Sequence, residues 1–287
     1  MANALDAVLA QYEKNTESRG GGDSMSQEDR LKKYFTTYLP KGTKTGQKKV
    51  RILPTPDGSS PFKEVWFHEV QVDGKWLKLY DPGKNDNERS PLTEVYEELM
   101  KTGKESDKKL AQQYRPRKFY IVKVIDRDNE DDGVKFWRFK DNYKQEGILD
   151  KVIPIWRAKG DVTDANEGRD LIVELTKAKS NSGIEYTVVQ TIMYDDPCPL
   201  SEDSDLMKEW MEDEMTWSDV YAQRPAEYLE AVANGETPRW DSDLKKFVYG
   251  DGEELETIGG SKPKKEVVKE EVEDPQQKME VDEDLPF

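Results

Sequence analysis

Two strand-like runs joined by an acidic turn constrain this chain more than any other stretch. Tyr114 to Lys140 reads YRPRKFYIVKVIDRDNEDDGVKFWRFK. Both runs are rich in β-branched and aromatic residues, and Gly133 sits in the acidic joint, so the stretch predicts a β-hairpin. Arg115, Arg117, Lys118 and Lys123 share the first run with Phe119 and Tyr120. Lys135, Arg138 and Lys140 share the second with Phe136, Trp137 and Phe139. Cations follow phosphates and flat rings stack on unpaired bases, so this interleaving suits a single nucleic-acid strand. It also suits an ordinary strand pair, in which half of the rings must face a core.

Charge distribution separates the chain into unlike parts. The net charge of −16 argues at first against a polyanionic partner, but residues 41–140 carry 22 Lys and Arg against 17 Asp and Glu. Residues 201–287 carry 10 against 26, so the acidity is regional and predicts a basic body with an acidic tail. A 36% charged, 34% hydrophobic composition implies that part of the chain stays outside any core. Cys198 is the only cysteine and His68 the only histidine, which excludes an intramolecular disulfide and a Cys-rich metal cage. No apolar run approaches the ~18–20 residues of a membrane span, and the N-terminal residues lack a signal-peptide core. A soluble, cytoplasmic protein is expected.

In chain order, residues 1–25 predict an arm. Leu5, Val8, Leu9 and Tyr12 recur at helical spacing, and Gly20 to Gly22 form a joint, so the helix needs a surface to dock on: its own domain or a neighbouring copy. Residues 26–200 predict a strand-dominated core. Strands are expected at 48–54, 62–70, 75–80, 170–179 and 184–194 besides the hairpin, with a two-residue turn at Asp73-Gly74. A loop is expected at 82–91 and helices at 92–102, 107–114 and 142–152. Short strands with turn signals and few helices indicate a small barrel or sandwich, mainly β with added helices (an α+β chain). Residues 201–249 predict a helical extension with a stripe of Met207, Met211 and Met215 beside Trp210, and a second helix at 227–234. Residues 250–287 combine dense charge with few large apolar groups and predict disorder.

The tip of that tail is specific. Asp282, Glu283 and Asp284 precede Leu285, Pro286 and Phe287, a compact ligand for a basic, apolar pocket. It resembles the terminal peptide of bacterial single-stranded DNA-binding proteins, which recruits replication and repair enzymes.

Hairpin and tip together carry a wider resemblance. From about Ala4 to Asn234 the chain resembles the single-stranded DNA-binding, helix-destabilising proteins of T-even-type tailed phages. The register points are Val50-Arg51-Ile52-Leu53-Pro54, Pro61-Phe62, Gly74-Lys75-Trp76, Val134 to Phe139 and Leu171 to Lys177. The resemblance implies an OB-fold core, a five-stranded Greek-key barrel with a basic cleft. It also implies an arm for cooperative self-association and an acidic tail that contacts replication, recombination and repair enzymes. It places Arg51, Arg115, Arg117, Lys118, Trp137 and Arg138 in the cleft and, more weakly, Tyr186; the hairpin stretch itself adds Tyr114, Tyr120 and Lys140 as DNA-binding candidates. Two departures stand out. The family prototype holds zinc with one His and three Cys; here His68 remains, but Asp81, Ser90 and Thr93 stand at the Cys positions. No structural zinc is expected, with Leu92, Val95 and Tyr96 packing that lobe instead. The basic motif of the family's arm is also missing, since Asp6 and Glu13 stand there with Lys14.

Catalysis finds little support. One His far from one Cys leaves no evident catalytic pair or His-based triad, and no Gly-Lys-Ser/Thr phosphate loop occurs. The acidic cluster at 126–132 fails the calcium-loop pattern, with Glu130 at position three and Phe139 at position twelve. A single-stranded RNA module, an adaptor acting through its acidic tail, and a metal-dependent nuclease remain as alternative readings.

Overall fold

The computed structural model describes residues 32–142, 146–179, 183, 185–221, 223–241 and 246–248. The arm residues Leu5, Val8, Leu9 and Tyr12 and the acidic tail with its tip lie outside the described residues. What is described is mainly antiparallel sheet with several helices, an α+β chain.

The first strand, β1 (Thr45–Ile52), is followed by β2 (Lys63–Val72) and β3 (Lys75–Tyr80). The last two are joined at Asp73 and Gly74, whose φ angles of 49° and 79° are the left-handed pair that a tight hairpin turn demands. Helices α1 (Pro82–Asp86), α2 (Pro91–Lys101) and α3 (Glu105–Tyr114) form a lobe. The expected hairpin is β4 (Pro116–Asp126) and β5 (Val134–Lys140), joined through a 3-10 turn over Glu130–Asp132. Then come α4 (Ile148–Lys159), β6 (Arg169–Lys179) and β7 (Glu185–Pro197). Three short helices, α5 (Ser204–Met211), α6 (Trp217–Val220) and α7 (Ala226–Ala233), precede a small ribbon of β8 (Arg239–Asp241) and β9 (Lys246–Val248).

Seven strands make one sheet in the order β3-β2-β4-β1-β6-β7, with β5 on the remaining edge of β4. Strand β4 is therefore the hub. One edge is given wholly to β5; the other is shared, β2 pairing from Pro116 to Ile121 and β1 from Val124 to Asp126.

Alternation along β4 and β5 sends side chains into two separate cores. Val122, Val124, Trp137 and Phe139 join Val50, Ile52, Leu171 and Val173, closed by Val152 and Ile155 of α4. On the opposite face Phe119, Ile121 and Phe136 join Val65, Phe67 and Tyr80, closed by Val220 and Tyr221. A third cluster ties the lobe together, with Val70, Val72, Leu79 and Leu92 against Tyr228, Leu229 and Val232 of α7.

Three local expectations are corrected. The helix expected at 142–152 spans Ile148–Lys159 and runs through Pro154. Losing one backbone bond at Pro154 is offset by docking of Val152 and Ile155 on the main core, which is invisible in local sequence. The loop expected at 82–91 contains α1, started by the Asp81 carboxylate accepting from Gly83 N at 3.0 Å. The methionine stripe is broken: Met207 packs beside Trp210, Met211 is exposed, and Met215 lies past the helix end against the Val220–Tyr221 cluster. Among the described residues no helix is long and apolar enough to cross a membrane.

Candidate nucleic-acid interface

Direct cross-strand partners share a face of the sheet. Trp66 lies opposite Lys118, and Glu64 opposite Tyr120, which in turn lies opposite Phe139. The sheet thus sets three rings, a lysine and a glutamate in a patch at the margin of the main core. Phe62, just before β2, meets Phe139 at 6.2 Å between ring centroids, and Trp156 of α4 meets Phe62 at 6.1 Å. Tyr120 and Phe139 are 5.8 Å apart. The result is a line, Tyr120–Phe139–Phe62–Trp156, whose Phe139 is buried and whose other members are half-exposed.

Lys118 extends the line. Its ammonium lies 5.1 Å from the Tyr120 ring centroid, 3.0 Å from an Asp141 oxygen and 3.4 Å from one of Glu64. The Tyr120 hydroxyl and the Asp141 carboxylate beside it raise the pKa of Lys118, so it stays a cation through any physiological pH. Arg115 at the head of β4 and Arg157 on α4 are exposed, and among the described residues neither has a hydrogen bond or ion pair. They are open to phosphate without first breaking a contact.

The sequence-derived set divides sharply. Lys118 and Tyr120 meet, and Arg115 lies just before their strand, at the end of α3. Arg51 and Trp137 do not belong to an exposed cleft. Trp137 is 1% exposed, edge-on to Phe35 at 5.3 Å and tilted against Phe139 at 5.2 Å, so neither ring face is open to a base. Arg51 is wholly buried: Nη1 lies 3.3 Å from Asp170, and Nη2 donates to the carbonyls of Asp164 and Cys198, both at 2.8 Å. A Cβ on Gly168 would stand 2.6 Å from that guanidinium, so only glycine fits there. Arg51 clasps the ends of β6 and β7 instead of a phosphate.

Arg138, Lys140 and Arg117 lie on the opposite face. Arg138 sits over the rings of Tyr221, Phe67 and Phe119 at 4.3, 5.3 and 5.8 Å, fastening the C-terminal segment to the sheet. Lys140 and Arg117 both pair with Glu69, at 2.5 and 3.2 Å. Burial by itself would push the Glu69 carboxyl up, but these cations outweigh it and hold it below the usual carboxylate range. Tyr114 is half-buried at the end of α3, with its ring in the lobe cluster. Tyr186 is 36% exposed on β7, and among the described residues no ring contact links it to the Tyr120 line.

Sequence reasoning missed Trp66 and Trp156 and used Phe62 only as a register point. Trp156 lies beyond Pro154 and four residues past Val152, where the expected helix ended, so no local signal placed it on a docked helix face.

The four positions that the resemblance assigns to zinc do converge. His68 Nε2 is 3.3 Å from Asp81 Oδ1 and 3.5 Å from Ser90 Oγ, and Thr93 Oγ1 donates to Asp81 at 3.4 Å. His68 Nδ1 faces the Tyr114 carbonyl at 2.7 Å. Two of the four are helix N-caps, Asp81 for α1 and Ser90 for α2. One imidazole, one carboxylate and two hydroxyls do not fit structural zinc, which takes sulfur and nitrogen donors. Their polar atoms are already engaged with one another. Burial acts to raise the Asp81 carboxyl, but His68 and its other hydrogen-bond donors prevail and leave it lowered. Nor is this a hydrolase triad: Asp81 and Ser90 approach the same ring nitrogen, and His68 is sealed from solvent.

Three half-exposed rings bridged by a buried one, with cations beside them, suit the binding of a single nucleic-acid strand. A family model described as gp32 DNA binding protein like matches residues 44–224, which is more than half of the 287-residue chain. The chain belongs to this gp32-like DNA-binding family, and membership supports a single-stranded DNA-binding role. A comparison with curated proteins found no match.

Proposed function

We propose that this protein binds single-stranded DNA irrespective of sequence, coating and protecting the strand during phage DNA replication, recombination and repair in the host cytoplasm. The observation that carries the reading is the Tyr120–Phe139–Phe62–Trp156 line with Lys118, which lies inside the matched region. Stacked rings are indifferent to base identity because every base has a π-face, and the same rings are unreachable for bases inside a duplex. The protein acts by binding and not by catalysis. Its sheet is an elaborated OB-type core.

Titration with poly-dT at two salt concentrations tests this through quenching of tryptophan fluorescence. Affinity falls with salt at a log-log slope of about −0.7 per phosphate contacted. Absence of salt-dependent binding ends the proposal, and stronger competition by matched RNA would redirect it to an RNA module.

The arm residues Leu5, Val8, Leu9 and Tyr12 serve self-association along the strand. The tail, through Asp282, Glu283, Asp284, Leu285, Pro286 and Phe287, recruits enzymes and competes with DNA for the basic body. Removing residues 264–287 therefore tightens DNA binding and abolishes recruitment; unchanged affinity would refute the competition.

The lobe holds together without metal, its caps and the buried His68–Asp81 pair standing in for a zinc cage. Chelator leaves the melting temperature of the full chain unchanged. The variant D81C/S90C/T93C acquires a Cys3His set and takes up cobalt(II) with thiolate charge-transfer absorption. A chelator-sensitive melting temperature in the unaltered chain would overturn this.

A further inference from the structure

We infer that the groove between the 54–62 loop and α4 is a subsite for one nucleotide of a bound single strand, a deepening that rests on the proposed function. The groove has a volume of about 520 Å³. That lies within the range of sites that hold small ligands, roughly 300–1,000 Å³. Phe62 forms one wall; Ile153, Trp156 and Arg157 of α4 form the other. Residues three and four apart share a helix face, so Ile153, Trp156 and Arg157 present an apolar side chain, a ring and a cation to the same cavity.

Phe62 belongs both to this groove and to the line of rings, which makes the two surfaces continuous. A strand that leaves the half-exposed Tyr120 reaches Phe62, and with it the groove, by passing over Phe139, which is buried between the two rings. Ile153 is 36% exposed, an uncovered apolar group at the mouth. Arg157 is exposed and, among the described residues, without hydrogen bond or ion pair, so a phosphate meets it unopposed. The carboxylate of Asp161 also lines the groove, but it is occupied by its own turn, accepting from the backbone N and hydroxyl of Thr163 at 2.9 and 2.7 Å. Ser60 adds a hydroxyl at the opposite rim. An aromatic wall and a free cation on one face match the two halves of a nucleotide, base and phosphate, and no base-specific donor set is needed.

The test uses the full chain and defined oligonucleotides. Arg157→Glu and Ile153→Glu alter exposed side chains; Lys104→Glu, exposed between α2 and α3, is the charge control. Arg157→Glu weakens oligo-dT binding about tenfold and lowers the salt slope by about 0.7, because one phosphate contact is lost. Ile153→Glu weakens it similarly, and Lys104→Glu changes it less than twofold. Photo-crosslinking of the unaltered protein to oligo-dT carrying 5-iododeoxyuridine labels Phe62 or Trp156, a readout that does not depend on any variant folding. If the unaltered protein binds oligo-dT but both groove variants behave like Lys104→Glu and crosslinks avoid both rings, the groove assignment falls and the proposed function survives. An equal loss in all three variants marks a general charge effect and also overturns it. Failure of the unaltered protein to bind removes both readings.

Discussion

The two faces of the β4–β5 hairpin have nearly the same composition and different work. One carries Lys118, Tyr120 and Phe139 beside Trp137; the other carries Arg117, Phe119, Arg138 and Lys140. Each has rings and cations in alternation. The first meets α4 along only part of its length, so Tyr120 and Lys118 emerge at the edge of the core. The second is roofed by the segment carrying Tyr221 and Val220, and its cations are spent on Glu69 and on the rings of Tyr221 and Phe67. Composition thus supplies two similar candidate surfaces, and packing by distant segments decides that Tyr120 emerges at the margin of one while Phe119 is buried in the other.

Substitutions can break that contrast. The largest effect is expected at Trp137. Its replacement by Ala removes a fully buried indole and costs about 3–5 kcal/mol of stability in denaturant unfolding. Trp137→Phe, which keeps the core apolar, retains single-stranded DNA affinity; a loss of affinity without loss of stability would mean that the indole does reach a base. Next comes Tyr120→Ala, expected to weaken poly-dT binding by about 1–3 kcal/mol with little change in melting temperature. Arg138→Ala does the reverse. Removing the cation over Tyr221 lowers stability by about 1–2 kcal/mol and leaves DNA affinity within about twofold. If Arg138→Ala instead weakened binding as much as Tyr120→Ala, the assignment of faces would be inverted.

The smallest effect is in acid and sharpens the roofed face alone. The Glu69 carboxyl is lowered in the folded protein, so its contribution is present above the unfolded value of about 4.3 and is lost as pH falls through the folded one. Glu69→Gln therefore flattens the stability–pH curve below about pH 4. An unchanged curve would show that Lys140 and Arg117 do not depend on this carboxylate.

Much of the fold was legible. The hairpin, the Asp73-Gly74 turn, the β6–β7 pair and the helices at 91–101 and 226–233 follow from alternation, turn chemistry and caps, all of which act within a few residues. The interface was legible only in part. That Lys118 and Tyr120 meet could be read from the sequence, because side chains two apart on a strand share a face. Arg51 was misplaced because its partners, Asp164, Asp170 and Cys198, lie more than a hundred residues away. Trp156 was missed because a proline disguised the docked helix that carries it.

By itself the amino-acid order determined where strands and turns form, that rings alternate with cations on β4 and β5, and that the zinc-position residues are hydroxyl and carboxylate. Those properties rest on local sterics and on side-chain chemistry, which need no neighbours. Only the tertiary structure decided which ring of the hairpin emerges at the core's margin, that Arg51 is a clasp, and that His68, Asp81, Ser90 and Thr93 close on one another. Such outcomes depend on which remote segments bury which surface, a choice made by the sum of all packing and carried by no single stretch.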